Sequence, residues 1–96
     1  MLTSYRQGLS LQDINNLPTA FIDDQYIQIG KNVKRIRNEK GISQLKLSTA
    51  MGYKSVAIVS HAEICLNGKH FNIEHLLKIA YILDTDICLF FKTASK

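Results

Sequence analysis

The chain has 96 residues, 46% of them hydrophobic and 21% charged, which fits one small globular domain and excludes a disordered protein. Two cysteines, Cys65 and Cys88, are too few for a disulfide framework. No apolar run approaches the roughly 18 residues of a membrane span, and Met1–Gly30 has no signal-peptide core. We therefore expect a cytoplasmic protein with free thiols.

The basic charge is concentrated in the second part of the sequence. Residues 1–27 contain one basic and three acidic residues, and residues 28–96 contain eleven basic and five acidic ones. The net charges are therefore −2 (1 − 3) and +6 (11 − 5), which sum to the +4 of the chain. This distribution suits a polyanionic partner such as nucleic acid, although a merely solvated surface explains it equally well.

Three segments are predicted along the chain. Residues 1–27 form an N-terminal extension, residues 28–92 a packed domain, and residues 93–96 a polar tail. In the extension, Ser10 is a candidate cap for a short helix that Pro18 ends. The sequence TAFIDDQYIQI that follows fits either a strand and turn or the beginning of the next helix.

From Ile29 onward, apolar residues recur at helical spacing, which predicts a first helix that Gly41 ends. A second helix is predicted over Gln44–Met51, with Ser43 as its cap and Gly52 just past its end. A short turn that contains Gly52 would join the second helix to the third.

Ser55 is predicted to cap the third helix, which breaks at Asn67, and Asn72 is predicted to cap a strongly amphipathic fourth helix. The last segment, DTDICLFFKT, forms either a short fifth helix capped by Asp86 or a strand, because several of its residues favour β-structure. The predicted fold class is an all-α domain of five helices with a short N-terminal extension, with a C-terminal strand as a further possibility. Its second and third helices describe a helix-turn-helix.

Four pieces of the sequence have an order and spacing typical of one family: IGKNVKRIRNEKGISQ, LSTAMGYKS, VSHAE and NIEHLLKIAYIL. From Ile29 to Phe90 the chain resembles the Cro/lambda-repressor-like helix-turn-helix family, also called the xenobiotic-response-element type. The resemblance implies a five-helix fold and a bacterial or phage transcriptional regulator. Such a protein would bind double-stranded DNA sequence-specifically as a homodimer, most simply as a repressor.

The resemblance also implies roles for individual residues. The third helix would enter the major groove, and the residues placed to face the bases are Ser55, Val56, Ala57, Ser60 and His61. Gln44 would hydrogen-bond a phosphate or a base edge. Further phosphate contacts are implied for Lys54, Asn67, Lys69 and Arg35. Arg37 and Glu63 would form a structural ion pair that ties the first helix to the third.

Two features depart from the family pattern. The tip of the third helix, Val56-Ala57-Ile58, is apolar where relatives often carry polar or basic residues. Either Val56 and Ala57 contact thymine methyl groups, or this surface binds a protein, as in the antitoxin of a toxin–antitoxin pair. The segment from Glu63 to Gly68 is also longer than in the family, which predicts a third helix extended by about one turn.

No enzyme, metal site or cofactor is predicted. His61 and Cys65 are four residues apart, and His70 and His75 follow, but this spacing matches no common zinc motif. The sequence contains no phosphate-binding loop and no nucleophile elbow. Six apolar residues either complete the core or form a dimer contact: Phe21, Ile22, Tyr26, Tyr81, Phe90 and Phe91.

Overall fold

A computed structural model describes residues 10–93, and these residues form four α-helices and no strand. The α-helices are α1 (Thr19–Glu39), α2 (Gln44–Ala50), α3 (Ala57–Glu63) and α4 (Ile73–Leu83). Short 3-10 helices lie at Ile14–Asn16, Leu66–Gly68 and Ile87–Phe91. None of the described helices has the length and apolar character needed to span a membrane.

Helix α1 includes TAFIDDQYIQI, the segment that the sequence left as either a strand and turn or the beginning of a helix. It begins at Thr19, directly after Pro18, because a proline is tolerated where a helix begins and its missing N–H costs no hydrogen bond. The cap predicted at Ser10 is wrong: Asp13 caps the short 3-10 helix instead, and its side chain accepts a hydrogen bond from the N–H of Asn15 at 2.9 Å. The helix therefore joins the N-terminal extension to the packed domain without a break.

The core is built from the inward sides of all four α-helices. Val33, Leu47, Val59 and Ile79 are each fully buried, one from each helix. The remaining buried apolar residues are Ile29, Ile36, Met51, Ala62, Phe71, Leu76, Leu83 and Phe90. Two of the predicted caps are confirmed, because Ser43 accepts a hydrogen bond from Lys46 N–H and Asn72 accepts one from His75 N–H.

Of the two forms predicted for the C-terminal segment, the strand is wrong and the short helix capped by Asp86 is confirmed, although it is a 3-10 helix and the count of five α-helices is therefore wrong. Residues Ile87–Phe91 form a 3-10 helix, capped by Asp86 through the N–H of Cys88 at 2.9 Å. Phe90 is fully buried, and Asn32 of α1 donates hydrogen bonds to the carbonyls of Phe90 and Lys92 at 2.9 and 2.7 Å. The β-favouring residues pack against α1 here, because no strand in the described chain offers them a ladder partner.

Helix α3 is shorter than predicted. It ends at Glu63, and the backbone at Cys65 and Asn67 is left-handed, with φ of 53° at both residues. A left-handed residue cannot continue an α-helix, so α3 stops here, and the short stretch Leu66–Gly68 is an irregular turn with left-handed backbone at Asn67 and Gly68. The longer spacing after Glu63 therefore produces an irregular connection to α4, and the prediction of an additional helical turn was wrong.

Candidate nucleic-acid interface

The turn between α2 and α3 is held by the backbone and by one buried hydroxyl. Gly52 has φ of 101°, a conformation that residues with a side chain rarely adopt. The fully buried Ser48 donates a hydrogen bond from its hydroxyl to the carbonyl of Ser55, and the N–H of Tyr53 donates to the carbonyl of Ser48 at 3.0 Å. These contacts fix the direction in which the chain enters α3.

Arg37 and Glu63 form a buried, two-pronged ion pair between α1 and α3. The Nε of Arg37 lies 2.7 Å from Oε2 of Glu63, and its Nη2 lies 3.0 Å from Oε1. Their side chains are 7% and 0% exposed, and the Nη1 of Arg37 also donates to the carbonyl of Ile42 at 2.8 Å. Because both carboxylate oxygens are bonded, the charge of Glu63 is compensated inside the domain.

Gln44 takes part in this network. Its Nε2 donates a hydrogen bond to Oε1 of Glu63 at 2.8 Å, so the side chain joins the first residue of α2 to the last residue of α3. The sequence-based role for Gln44 was a contact to DNA only. One amide N–H remains available for that role, since the other is bonded to Glu63.

Gly30 has a structural role that the sequence analysis did not assign. A Cβ atom at this position would lie 2.5 Å from the carbonyl oxygen of Glu63 and 2.9 Å from that of Ala62. The absence of a side chain therefore lets α1 approach the C-terminal end of α3. The signal was available, since an isolated glycine inside a helical pattern commonly marks close packing.

The beginning of α3 is partly exposed. Val56 is 37% exposed, and Ala57, Ser60 and His61 are half-buried. Ser55 is exposed, and its hydroxyl accepts a hydrogen bond from the N–H of Ala57 at 3.0 Å. The third apolar residue of the predicted tip, Ile58, packs against the core, so the uncharged surface is smaller than the sequence suggested.

The residues assigned to phosphate contacts do not all lie together. Lys54, Asn67 and Lys69 are exposed in the two connections that flank α3. Arg35 instead makes its polar contacts within α1, through a hydrogen bond to Asn32 at 2.9 Å and an ion pair with Glu39 at 3.7 Å. The structure therefore groups the first three residues around α3 and leaves Arg35 on another element.

The exposed charge of the region from residue 40 to residue 73 is entirely basic. Glu63 is its one acidic residue, and Glu63 is buried against Arg37. The exposed charged residues of the region are Lys40, Lys46, Lys54 and Lys69. Every other acidic residue in the described part of the chain lies outside it: Asp13, Asp23, Asp24, Glu39, Glu74, Asp84 and Asp86. Residues 40–73 therefore expose no carboxylate of their own, and the acidic residue that lies beside them is Asp23 of α1, which lines a cavity with Cys65, Gly68 and His70.

A cavity of about 490 Å³ lies between α3, the connection that follows it and the beginning of α4. We call it the histidine cavity, because the residues that line it include His61, His70 and His75, together with Lys69, Ala57 and Ile58. Within residues 10–93, no group of three or more His, Cys, Asp or Glu residues is arranged to hold a metal ion. The cavity lies directly beside residues of α3 that the sequence assigned to base contacts.

His75 has a structural role at the wall of this cavity. Its Nδ1 accepts a hydrogen bond from the N–H of Asn72 at 3.0 Å, and its own N–H donates to the side chain of Asn72 at 2.8 Å. The two residues therefore form a reciprocal cap at the beginning of α4. Burial lowers the pKa of His75, which favours the neutral ring that this cap requires.

No family model matches the sequence, and no curated protein matches it either. Among solved structures, the chain is similar to the restriction-modification controller protein C.AhdI from Aeromonas hydrophila. The TM-score is 0.62 at 24% sequence identity, and the match covers 71% of this chain and 98% of that chain. At this identity the similarity establishes a shared all-helical fold of the helix-turn-helix type.

Proposed function

We propose that this protein is a sequence-specific DNA-binding transcriptional regulator of the xenobiotic-response-element type that acts as a homodimer, most simply as a repressor. The observation that carries the proposal is the distribution of charge. Residues 40–73, which we call the helix-turn-helix region, expose four lysines and no carboxylate of their own. A surface of this kind is attractive to the phosphate backbone, because each bound phosphate releases condensed counterions. The shared fold with a protein named as a restriction-modification controller gives the proposal further support.

In the proposed complex, the N-terminal end of α3 enters the major groove. Val56 and Ala57 contact thymine methyl groups, and Ser55 and Ser60 supply the polar base contacts. His61, which the sequence also assigned to the bases, lines the histidine cavity. Lys54, Asn67 and Lys69 bind phosphates on either side of the groove, and Gln44 contributes its remaining N–H. Of the residues assigned to phosphate contacts, Arg35 has the least support, since its guanidinium is already bonded within α1.

The test is direct measurement of DNA affinity at several salt concentrations. A binding sequence is first selected from random duplex DNA, and the affinity of Lys54→Ala for it is then compared with that of the unaltered protein. We expect the variant to bind more weakly and its salt dependence to be shallower by about one counterion, because one phosphate contact is lost. Lys92→Ala is the matched control, since Lys92 is an exposed lysine of the C-terminal segment that Asn32 holds against α1.

A second candidate function is a protein-interaction module such as an antitoxin, in which DNA binding is secondary. It is favoured by the exposed apolar side chains outside the helix-turn-helix region, of which Leu11, Ile14 and Tyr81 are 93%, 74% and 88% exposed. Salt dependence separates the two functions, because an apolar protein interface responds little to salt whereas phosphate contacts weaken steeply. Absence of DNA binding at low salt would favour this second function and contradict the first.

A further inference from the structure

The histidine cavity has the chemistry of an anion-binding site. Of the described residues that line it, none is acidic, and four carry nitrogen donors: His61, Lys69, His70 and His75. Lys69 is exposed at the mouth of the cavity, and the three imidazoles are half-buried. Ala57 and Ile58 supply an apolar wall, where a charged hydrogen bond is stronger than it would be in water.

One hydrogen bond of His70 shows which ring nitrogen is left for a ligand. Its Nδ1 lies 3.2 Å from the carbonyl oxygen of Phe71, and a carbonyl can only accept, so Nδ1 donates to it. Nε2 is therefore the nitrogen that remains available. The ring is stacked on Tyr26, with ring centroids 3.5 Å apart and planes 13° apart, which fixes its orientation.

His61 and His75 differ in what they can contribute. The His61 ring forms no hydrogen bond within residues 10–93, so both of its nitrogens are available to a ligand. His75 uses Nδ1 to accept from Asn72 and stays neutral, so it can offer only the N–H of Nε2. The two rings that can become cations in the cavity without loss of a cap are therefore those of His61 and His70.

Other ionisable groups surround these two rings. Asp23 of α1 lines a smaller cavity with His70. Lys69 lines the histidine cavity together with His61 and His70. The remaining groups on the packed elements are Tyr26, Tyr53, Cys65, Glu74 and Lys78.

We propose that the histidine cavity binds one phosphate group of the DNA backbone, with Lys69, His61 and His70 as its donors and both rings protonated in the complex. This inference rests on the proposed function, since it assigns one backbone contact of the same DNA complex. Contacts from lysines alone would not make DNA affinity depend on pH near neutrality. Because the two imidazoles are protonated in the complex, DNA binding takes up protons and the affinity falls as the pH rises.

The experiment measures affinity for the selected duplex between pH 6 and pH 8, with circular dichroism at each pH to verify folding. The unaltered protein should lose about tenfold or more in affinity over this range for each histidine that binds as a cation, because imidazole side chains change charge in this range of pH. The double variant His61→Gln/His70→Gln keeps hydrogen-bonding capacity but cannot titrate, and it should lose less than about threefold. Lys69→Ala should weaken binding at every pH.

Lys40→Ala is the matched control for Lys69→Ala. The Nζ of Lys40 lies 3.5 Å from the carbonyl of Asp84, at the C-terminal end of α4, whereas the cavity lies at the N-terminal end of that helix. The length of α4, about 16 Å, separates the two ends. The control should retain the pH dependence in full and show a smaller loss of affinity.

The possible results separate this site from the proposed function. If the unaltered protein binds no duplex at any pH at low salt, the proposed function is wrong. If it binds DNA with the same affinity at pH 6 and pH 8, or if the double variant keeps the pH dependence, DNA binding stands and the cavity is not the phosphate site. Histidine NMR signals give a second test. If inorganic phosphate raises the pKa of His61 and His70 and DNA does not, the cavity takes a free anion and the proposal fails.

Discussion

Glu63 is the residue on which the geometry of α3 depends. It receives hydrogen bonds from Arg37 of α1 and from Gln44 of α2, so three helices meet at one carboxylate. The same arrangement removes the only negative charge of the helix-turn-helix region from the surface. A buried ion pair adds little net stability by itself, yet loss of one partner is costly because a charge remains buried without compensation.

Arg37→Ala is therefore expected to lower the free energy of unfolding by about 3–5 kcal/mol. The reason is the fully buried carboxylate of Glu63, which keeps only Gln44 as a partner. Urea denaturation measures the change. The double variant Arg37→Leu/Glu63→Leu should recover much of the loss, since it removes both charges together. Equal stability of Arg37→Ala and the unaltered protein would show that the pair does not hold α3.

At the scale of the elements, the cap of α4 makes stability depend on pH. The pKa of His75 is lowered in the folded protein, chiefly by burial, and its Nδ1 must be unprotonated to accept from Asn72. The contribution is fully present above the ordinary pKa of about 6.5, where the ring is neutral in both states. As the pH falls below that value the unfolded chain takes up the proton first, and stability is lost down through the folded pKa.

His75→Gln tests this linkage. Glutamine is the usual partner in such a reciprocal cap, since its side-chain oxygen can accept from the N–H of Asn72 without titrating. We expect the unaltered protein to lose more stability than the variant between pH 7.5 and pH 5.5 in urea denaturation. His61 and His70 are present in both proteins, so any effect they have cancels in the comparison. The same loss in both proteins would exclude His75 as the source.

The element boundaries show what local sequence signals could and could not predict. Ser43, Gly52 and Asn72 were assigned correctly because caps and left-handed glycines act through their nearest neighbours. For the C-terminal segment the sequence predicted the cap at Asp86 but could not choose between a short helix and a strand, because the segment is held by Asn32, more than 50 residues away, through two backbone carbonyls. Local propensity carries no information about such a contact.

In the candidate site, too, the long-range contacts could not be predicted from local sequence signals. Glu63 lies 26 residues from Arg37, and only the family resemblance paired them, since no periodicity in the sequence indicates a contact at that distance. The bond from Gln44 to Glu63 and the approach of α1 to α3 at Gly30 were both missed. The histidine cavity could not be predicted, because it exists only through the left-handed turn after α3, which places His70 and Lys69 beside α3.

At the scale of the whole molecule, two apolar surfaces are available for the proposed homodimer. One is a stripe on α4, in which Ile73, Leu77 and Tyr81 recur every four residues and are 61%, 56% and 88% exposed. The other is the N-terminal part of α1, with Phe21 and Ile22 at 44% and 47% exposure. Phe90, which the sequence left open as a core residue or a dimer contact, is fully buried and belongs to the core.

We expect the dimer to form through the α4 stripe. A dimer that binds paired half-sites must hold its two copies of α3 at a fixed spacing of about one helical turn of DNA. That requirement favours an interface on an element packed into the core, and the opposite side of α4 is buried through Leu76, Ile79 and Leu83. The exposed first turns of α1 make no comparable set of core contacts, so an interface there would fix the spacing less well.

The double variant Leu77→Glu/Tyr81→Glu should therefore be monomeric in sedimentation equilibrium and should bind the selected duplex much more weakly, because one half-site supplies only part of the contacts. Both side chains are more than half exposed, so neither substitution disturbs the core. The control Phe21→Glu/Ile22→Glu places the same two charges on α1 and should leave the dimer intact. If the α1 variant dissociates and the α4 variant does not, the dimer forms through the N-terminal part of α1. The spacing of the two copies of α3 would then be set by α1.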